Sequence, residues 1–175
     1  MIIYQKQKLA DAEDRQKLSH YFLKIAEGRL YQSPTLVQTV LGSCVSVTMF
    51  CPQLRCGGIF HALLPCIDDF SKPENSKDCD TFRYVDSSIW NMLKKFDESG
   101  VSAKNLECKV FGGSSSLYCN NGPSPGSRNV KVAMEVLAEA GATVLASSVG
   151  GSNGRKIYFR TDTGVVLQKQ FKVRA

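Results

Sequence analysis

Thr39-Val-Leu-Gly-Ser-Cys44-Val-Ser-Val47, followed beyond the connection Cys51-Pro-Gln-Leu-Arg-Cys56 by Gly57-Gly-Ile-Phe-His61-Ala-Leu-Leu-Pro65, reads as two buried strands of a hairpin. The first carries a thiol and the second an imidazole. Val40, Leu41, Val45 and Val47 surround a Gly-Ser-Cys that packing alone does not call for. Gly42 is expected to let the backbone approach a partner closely or take an angle that a Cβ would forbid. Antiparallel pairing across the connection returns His61 towards Cys44. A thiol within hydrogen-bond reach of an imidazole is the minimum equipment for covalent acyl chemistry. The plainer alternative makes Cys44 a small buried hydrophobe and His61 a satisfied core histidine.

The composition narrows the classes. A chain of 175 residues, 43% hydrophobic and 22% charged, has the make-up of one globular domain and not of a disordered segment. No apolar run approaches a membrane span, and Met-Ile-Ile-Tyr-Gln-Lys-Gln-Lys is no secretory signal, so a cytoplasmic protein with no membrane insertion is expected. The seven cysteines (44, 51, 56, 66, 79, 108 and 119) are odd in number, and without export the default is reduced thiols. Cys51, Cys56, His61 and Cys66 recur every five residues. Zinc sites place one ligand pair two to four residues apart on a tight knuckle, so no metal is expected here. The formal charge of +6 is scattered, with no stacking aromatics along a basic stripe. Nucleic acid is therefore not expected, whereas an acidic protein surface would use that charge.

Outward from the central pair, Leu18, Tyr21, Phe22 and Ile25 fall at helical spacing and predict a helix over 9–27 that Gly28 stops. A first strand is expected over 29–37, broken at Ser33-Pro34 and so at an edge. Residues 66–80 read as a loop long enough to border a cleft. Asp80 or Thr81 is expected to cap a helix through Ser99, with Phe82, Val85, Ile89, Met92, Leu93 and Phe96 as its stripe. A strand over 106–111 delivers Gly112-Gly113 to an irregular loop. Ser127 is then expected to cap a helix over 128–140 with Val130, Ala133, Met134 and Leu137 inward. A strand over 143–147 and a hairpin about Asp162-Thr163-Gly164 complete the reading.

Five ordered blocks together resemble the CheD family of chemoreceptor glutamine deamidases: LGSCVSV at 41–47, GGIFHALLP at 57–65, FGGSS at 111–115, GSRN at 126–129 and GGSNGRKIYFRTDTG at 150–164. The resemblance covers residues 29–173; with no linker or repeat in sight the chain reads as one domain over 1–175, with 1–28 a helical extension outside the matched core. The resemblance implies an α+β fold, a three-layer α/β/β sandwich of mixed, mostly antiparallel sheets with two or three helices on one side. The implied activity is hydrolysis of glutamine side chains of methyl-accepting chemotaxis receptors, without metal or cofactor, and some members also bind the CheC phosphatase. The family's nucleophile falls on Cys44 and its base on His61. Its third residue, a threonine, falls on Thr39 or, one position removed, on Gln38. Pure alternation would put Gln38 on the face of Cys44, whereas a bulge at Gly42 would bring Thr39 round and is the favoured expectation. Backbone N–H groups at Ser43-Cys44 or Gly112-Gly113 are the oxyanion candidates. Ser114 to Ser116 and Ser148-Val149 depart from the family's pattern. A CheD-like adaptor with an idle pair and another kind of cysteine hydrolase are the rival readings.

Overall fold

The computed structural model describes residues 18–66, 82–115 and 122–172. In chain order the strands are β1 (Ser19–Phe22), β2 (Gly28–Tyr31), β3 (Thr35–Leu41), β4 (Val45–Cys51), β5 (Cys56–Ala62), β6 (Glu107–Gly112), β7 (Thr143–Val149), β8 (Asn153–Arg160) and β9 (Val166–Lys172). Helix α1 (Val85–Asp97) lies between β5 and β6, and α2 (Pro125–Glu139) between β6 and β7. Two sheets form, one ordered β1-β3-β8-β9 and the other β2-β5-β4-β6-β7. Only the β1–β3 and β6–β7 pairs are parallel.

The five-stranded sheet is the middle layer. On one face α1 packs on β2 and β5, and α2 on β4, β6 and β7. Val45, Val47, Met49, Phe60, Val85, Ile89, Met92 and Phe96 form part of that core. On the other face it meets the four-stranded sheet through Leu41, Cys44, Ile59, Phe111, Ile157 and Phe159. Every residue of β4 and β5 is buried, because both of their faces are covered. That is why the central strands read as near-continuous apolar runs, each large side chain contributing about 1.5–3 kcal/mol by leaving water. The expected α/β/β sandwich is the fold observed, with α1 and α2 on one side.

Several local expectations are corrected. Residues 1–17 lie outside the described set, and where the helix of 9–27 was expected to continue, Ser19–Phe22 is a strand paired in parallel with β3. Of the supposed stripe, Tyr21, Phe22 and Ile25 are exposed (Phe22 is 53% accessible), while Leu23, off that stripe, is buried at 1%. Gly28 stops no helix; it opens β2, where a Cβ would run into the Phe82 ring. The strand of 29–37 is two strands in different sheets, parted at Ser33-Pro34. Helix α1 starts at Val85 after Tyr84, without a side-chain cap, and the expected caps Asp80 and Thr81 are outside the described residues, as is most of the 66–80 loop. Helix α2 is capped by Ser124, whose Oγ accepts from the Ser127 N–H at 3.1 Å, so it starts three residues early. Its buried face is Gly126, Asn129, Ala133, Val136 and Leu137; Met134 is exposed.

Candidate active site

The quoted stretch 39–47 is not one strand. It ends β3 in the outer sheet at Leu41, crosses through Gly42-Ser43-Cys44, and begins β4 in the middle sheet at Val45. Thr39 and Cys44 therefore approach the interlayer space from opposite sides. Along β3, Thr35, Val37, Thr39 and Leu41 are buried, while Leu36, Gln38 and Val40 are not. Gln38 thus points away, and no bulge at Gly42 is needed to bring Thr39 in. Gly42 takes no positive φ, and a Cβ there would meet only Ser114 Oγ, at 4.0 Å. The close approach expected of Gly42 belongs instead to Gly112, at φ +105°, whose Cβ would overlap the Cys44 carbonyl oxygen.

The β4–β5 register sets the pair. Ser46 is directly opposite His61, and the ladder ends at Val45–Ala62. Alternation places Cys44 on the face of Ser46 and so of His61, as a diagonal neighbour. Cys44 packs among the interlayer residues, in agreement.

Across the layers, Thr39 Oγ1 is 2.8 Å from His61 Nδ1 and 2.9 Å from the Leu23 carbonyl oxygen. A carbonyl only accepts, so the single hydroxyl proton goes to Leu23 and Thr39 Oγ1 accepts from Nδ1–H. This fixes the neutral tautomer with its lone pair on Nε2. Nε2 is buried with no hydrogen-bond partner among the described residues. Burial lowers the imidazole to about 4. Burial also pushes the Cys44 thiol up, partly offset by its own backbone amide. The resting pair is accordingly thiol and neutral imidazole.

The glycine turn after β6 grips the backbone of Cys44. Gly113 N–H donates to the Cys44 carbonyl at 2.8 Å and Ser114 N–H to that of Gly42 at 2.9 Å. The Gly113 N–H is thereby removed from the free oxyanion donors, which corrects the expectation for it. Arg155, buried in β8, donates to Ser148 Oγ (3.2 Å) and to the carbonyls of Asn153 (3.1 Å) and Gly150 (2.6 Å). It thus holds the Gly150-Gly151 turn on which Ser115 N–H also bonds, at 2.9 Å to Gly151. The cysteine set at five-residue intervals does not converge: Cys51 and Cys56 face the helices, and His61 faces the outer sheet. No group of three potential metal ligands occurs among the described residues.

Two parts of the site lie beyond the sequence reading. The Leu23 carbonyl came from a segment read as helix. Asn129 is fully buried, and its Nδ2 donates to the carbonyls of Ser43 and Leu63, both at 3.0 Å. Its signal was present, since it lies four residues before Ala133 on the apolar face, where a polar side chain needs a reason.

An α/β/β sandwich that holds a thiol, an imidazole and an orienting hydroxyl between its two sheets is a protein equipped for thiol-based acyl chemistry. The comparisons narrow the class. The family model described as CheD chemotactic sensory transduction matches residues 63–170, more than half of the chain. A relative from Geobacter sulfurreducens, "Probable chemoreceptor glutamine deamidase CheD 2", is 48% identical over 88% of this chain and 91% of its own. "Probable chemoreceptor glutamine deamidase CheD" of Oleidesulfovibrio alaskensis is 40% identical over 87% and 73%, and that of Maridesulfovibrio salexigens 38% over 91% and 96%. The chain belongs to the CheD family.

Proposed function

We propose that this protein is a cysteine-dependent glutamine deamidase that converts glutamine side chains of chemoreceptors to glutamate and releases ammonia. Family membership and the names of its relatives support the activity and the substrate class. The observation that carries the mechanism is the Thr39–His61 hydrogen bond at Nδ1, which leaves the Nε2 lone pair without a partner among the described residues.

His61 takes the Cys44 proton as the sulfur attacks the amide carbon, since a thiol raised by burial is not ionised beforehand. The carbonyl oxygen becomes negative in the tetrahedral intermediate. The backbone N–H groups of Ser43 and Cys44 are our oxyanion donors, each worth roughly 3–4 kcal/mol to the transition state. His61 then gives its proton to the departing nitrogen, ammonia leaves, and a thioester joins Cys44 to the glutamyl carbonyl. Water, losing its proton to His61, hydrolyses the thioester, frees the thiol and leaves a glutamate. Thr39 orients the ring throughout and stabilises the imidazolium through its hydroxyl dipole. A glutamate methyl ester offers the same acyl carbon with an easier leaving group and is open to the same steps.

No helix among the described residues is long and apolar enough to cross a membrane. The test is mass spectrometry of a chemoreceptor cytoplasmic fragment before and after incubation, with Cys44→Ala as control. The expected result is the mass change of amide to carboxylate at discrete glutamines, absent with the variant. An unchanged fragment that nonetheless binds the protein would favour the adaptor instead.

A further inference from the structure

The β4–β5 ladder ends at the point where the nucleophile begins. Val45–Ala62 is the last pair, and beyond it the chain of Cys44 and Ser43 turns away to the other sheet. The carbonyls of Ser43 and Leu63 lie just beyond that last pair, outside the β4–β5 ladder. Asn129 of α2 fills the gap, its one amide nitrogen donating to both at 3.0 Å. Its Oδ1 is buried without a partner among the described residues. The side chain is thus held for its two donors at the expense of its acceptor, and two facing carbonyls exclude the flipped amide. The bridge stands on a fixed base, because a Cβ on Gly126 at the start of α2 would come within 2.6 Å of the Gly113 carbonyl oxygen. One bonded carbonyl adjoins Cys44 and the other lies two residues after His61.

We propose that Asn129 is a positioning residue for the Cys44–His61 pair, the bridge from α2 that sets the distance between nucleophile and base where their strands part. The proposal rests on the reading of that pair given above. Loss of the bridge leaves both side chains present and lets their backbones drift, and a displacement of about 1 Å between reacting groups costs on the order of a hundredfold in rate.

The test uses alkylation of Cys44 by iodoacetamide at neutral pH, followed at the Cys44 peptide by mass spectrometry, which requires no receptor. Asn129→Ala removes both donors, and Asn129→Ser keeps a single short one. Both are expected to retain the parent's circular dichroism. Asn129→Ala should lower the Cys44 alkylation rate roughly tenfold to a hundredfold, towards that of His61→Gln, with Asn129→Ser between it and the parent. On a receptor fragment kcat should fall with KM little changed. Combined with His61→Gln, Asn129→Ala should add no further loss, as for two residues acting through one alignment. Parent-like alkylation in both Asn129 variants beside a slow His61→Gln would overturn this proposal alone. Additive losses, or unfolding of both variants, would also overturn it and leave Asn129 a residue of stability. A parent no faster than His61→Gln would sink the reading of the pair as well.

Discussion

Thr39 makes two hydrogen bonds with one proton, and that arithmetic decides which nitrogen of His61 is basic. Thr39→Val keeps the shape and removes both bonds. Turnover should fall about tenfold to a hundredfold with little loss of secondary structure, whereas Gln38→Leu, on the outer face, should leave it nearly unchanged. Steady-state kinetics on a receptor fragment checks the pair of variants, and the reverse pattern would mean that another group orients the ring. His61→Gln should cost roughly two to four orders of magnitude in kcat. The depressed imidazole also sets a pH signature. A base at about 4 beside a raised thiol stays competent through weakly acidic solution, so the acid limb of kcat/KM should lie well below the ordinary histidine value of 6.5. A limb near 6.5 would instead indicate a well-solvated ring.

At the scale of elements, the glycines that matter are those of the turn after β6. Gly112→Ala must displace the Cys44 carbonyl and force a φ of +105° on a side chain. It should cost more than about 2 kcal/mol and most of the activity. Gly42→Ala, which meets only Ser114 Oγ at 4.0 Å, should stay within about 1 kcal/mol and keep its turnover. Denaturant unfolding and kinetics of the two variants separate the cases. The contrast shows where the chain was legible. Cys44 and His61 stood out because reactive side chains sit at the head of one run and inside another that β4 and β5 bury on both faces. Alternation along one strand gives parity only within one sheet, so it was silent on the crossing at Gly42-Ser43-Cys44 that faces Thr39 towards His61 from the other layer. The Tyr21-Phe22 pair misled for a related reason: a short apolar cluster fits helical spacing and an edge strand alike, and the β3 pairing decided it. Asn129 needed the parting of β4 from β5 to acquire a purpose.

For the molecule as a whole, the buried neutral His61 ties stability to acidity. Its folded value of about 4 lies below the 6.5 of a solvated ring, so below 6.5 the unfolded chain binds a proton that the native chain refuses. The associated stability is fully present above 6.5 and is lost progressively as pH falls towards 4, by roughly 3 kcal/mol at about 1.4 kcal/mol per unit. Urea midpoints measured across that range should fall in the parent and flatten in His61→Gln. A second whole-molecule property follows from the division of the site between two sheets. The outer sheet that carries Thr39 is built on β8 and β9, strands from the last part of the described chain, whereas Cys44 and His61 come from its first half. During synthesis Cys44 and His61 leave the ribosome long before the strands that complete Thr39's sheet. Until that late hairpin arrives, β3 lacks its β8 partner and Thr39 has no finished sheet to hold it against the imidazole. On the proposed mechanism, the alignment of His61 by Thr39 is therefore completed only as the fold itself is completed.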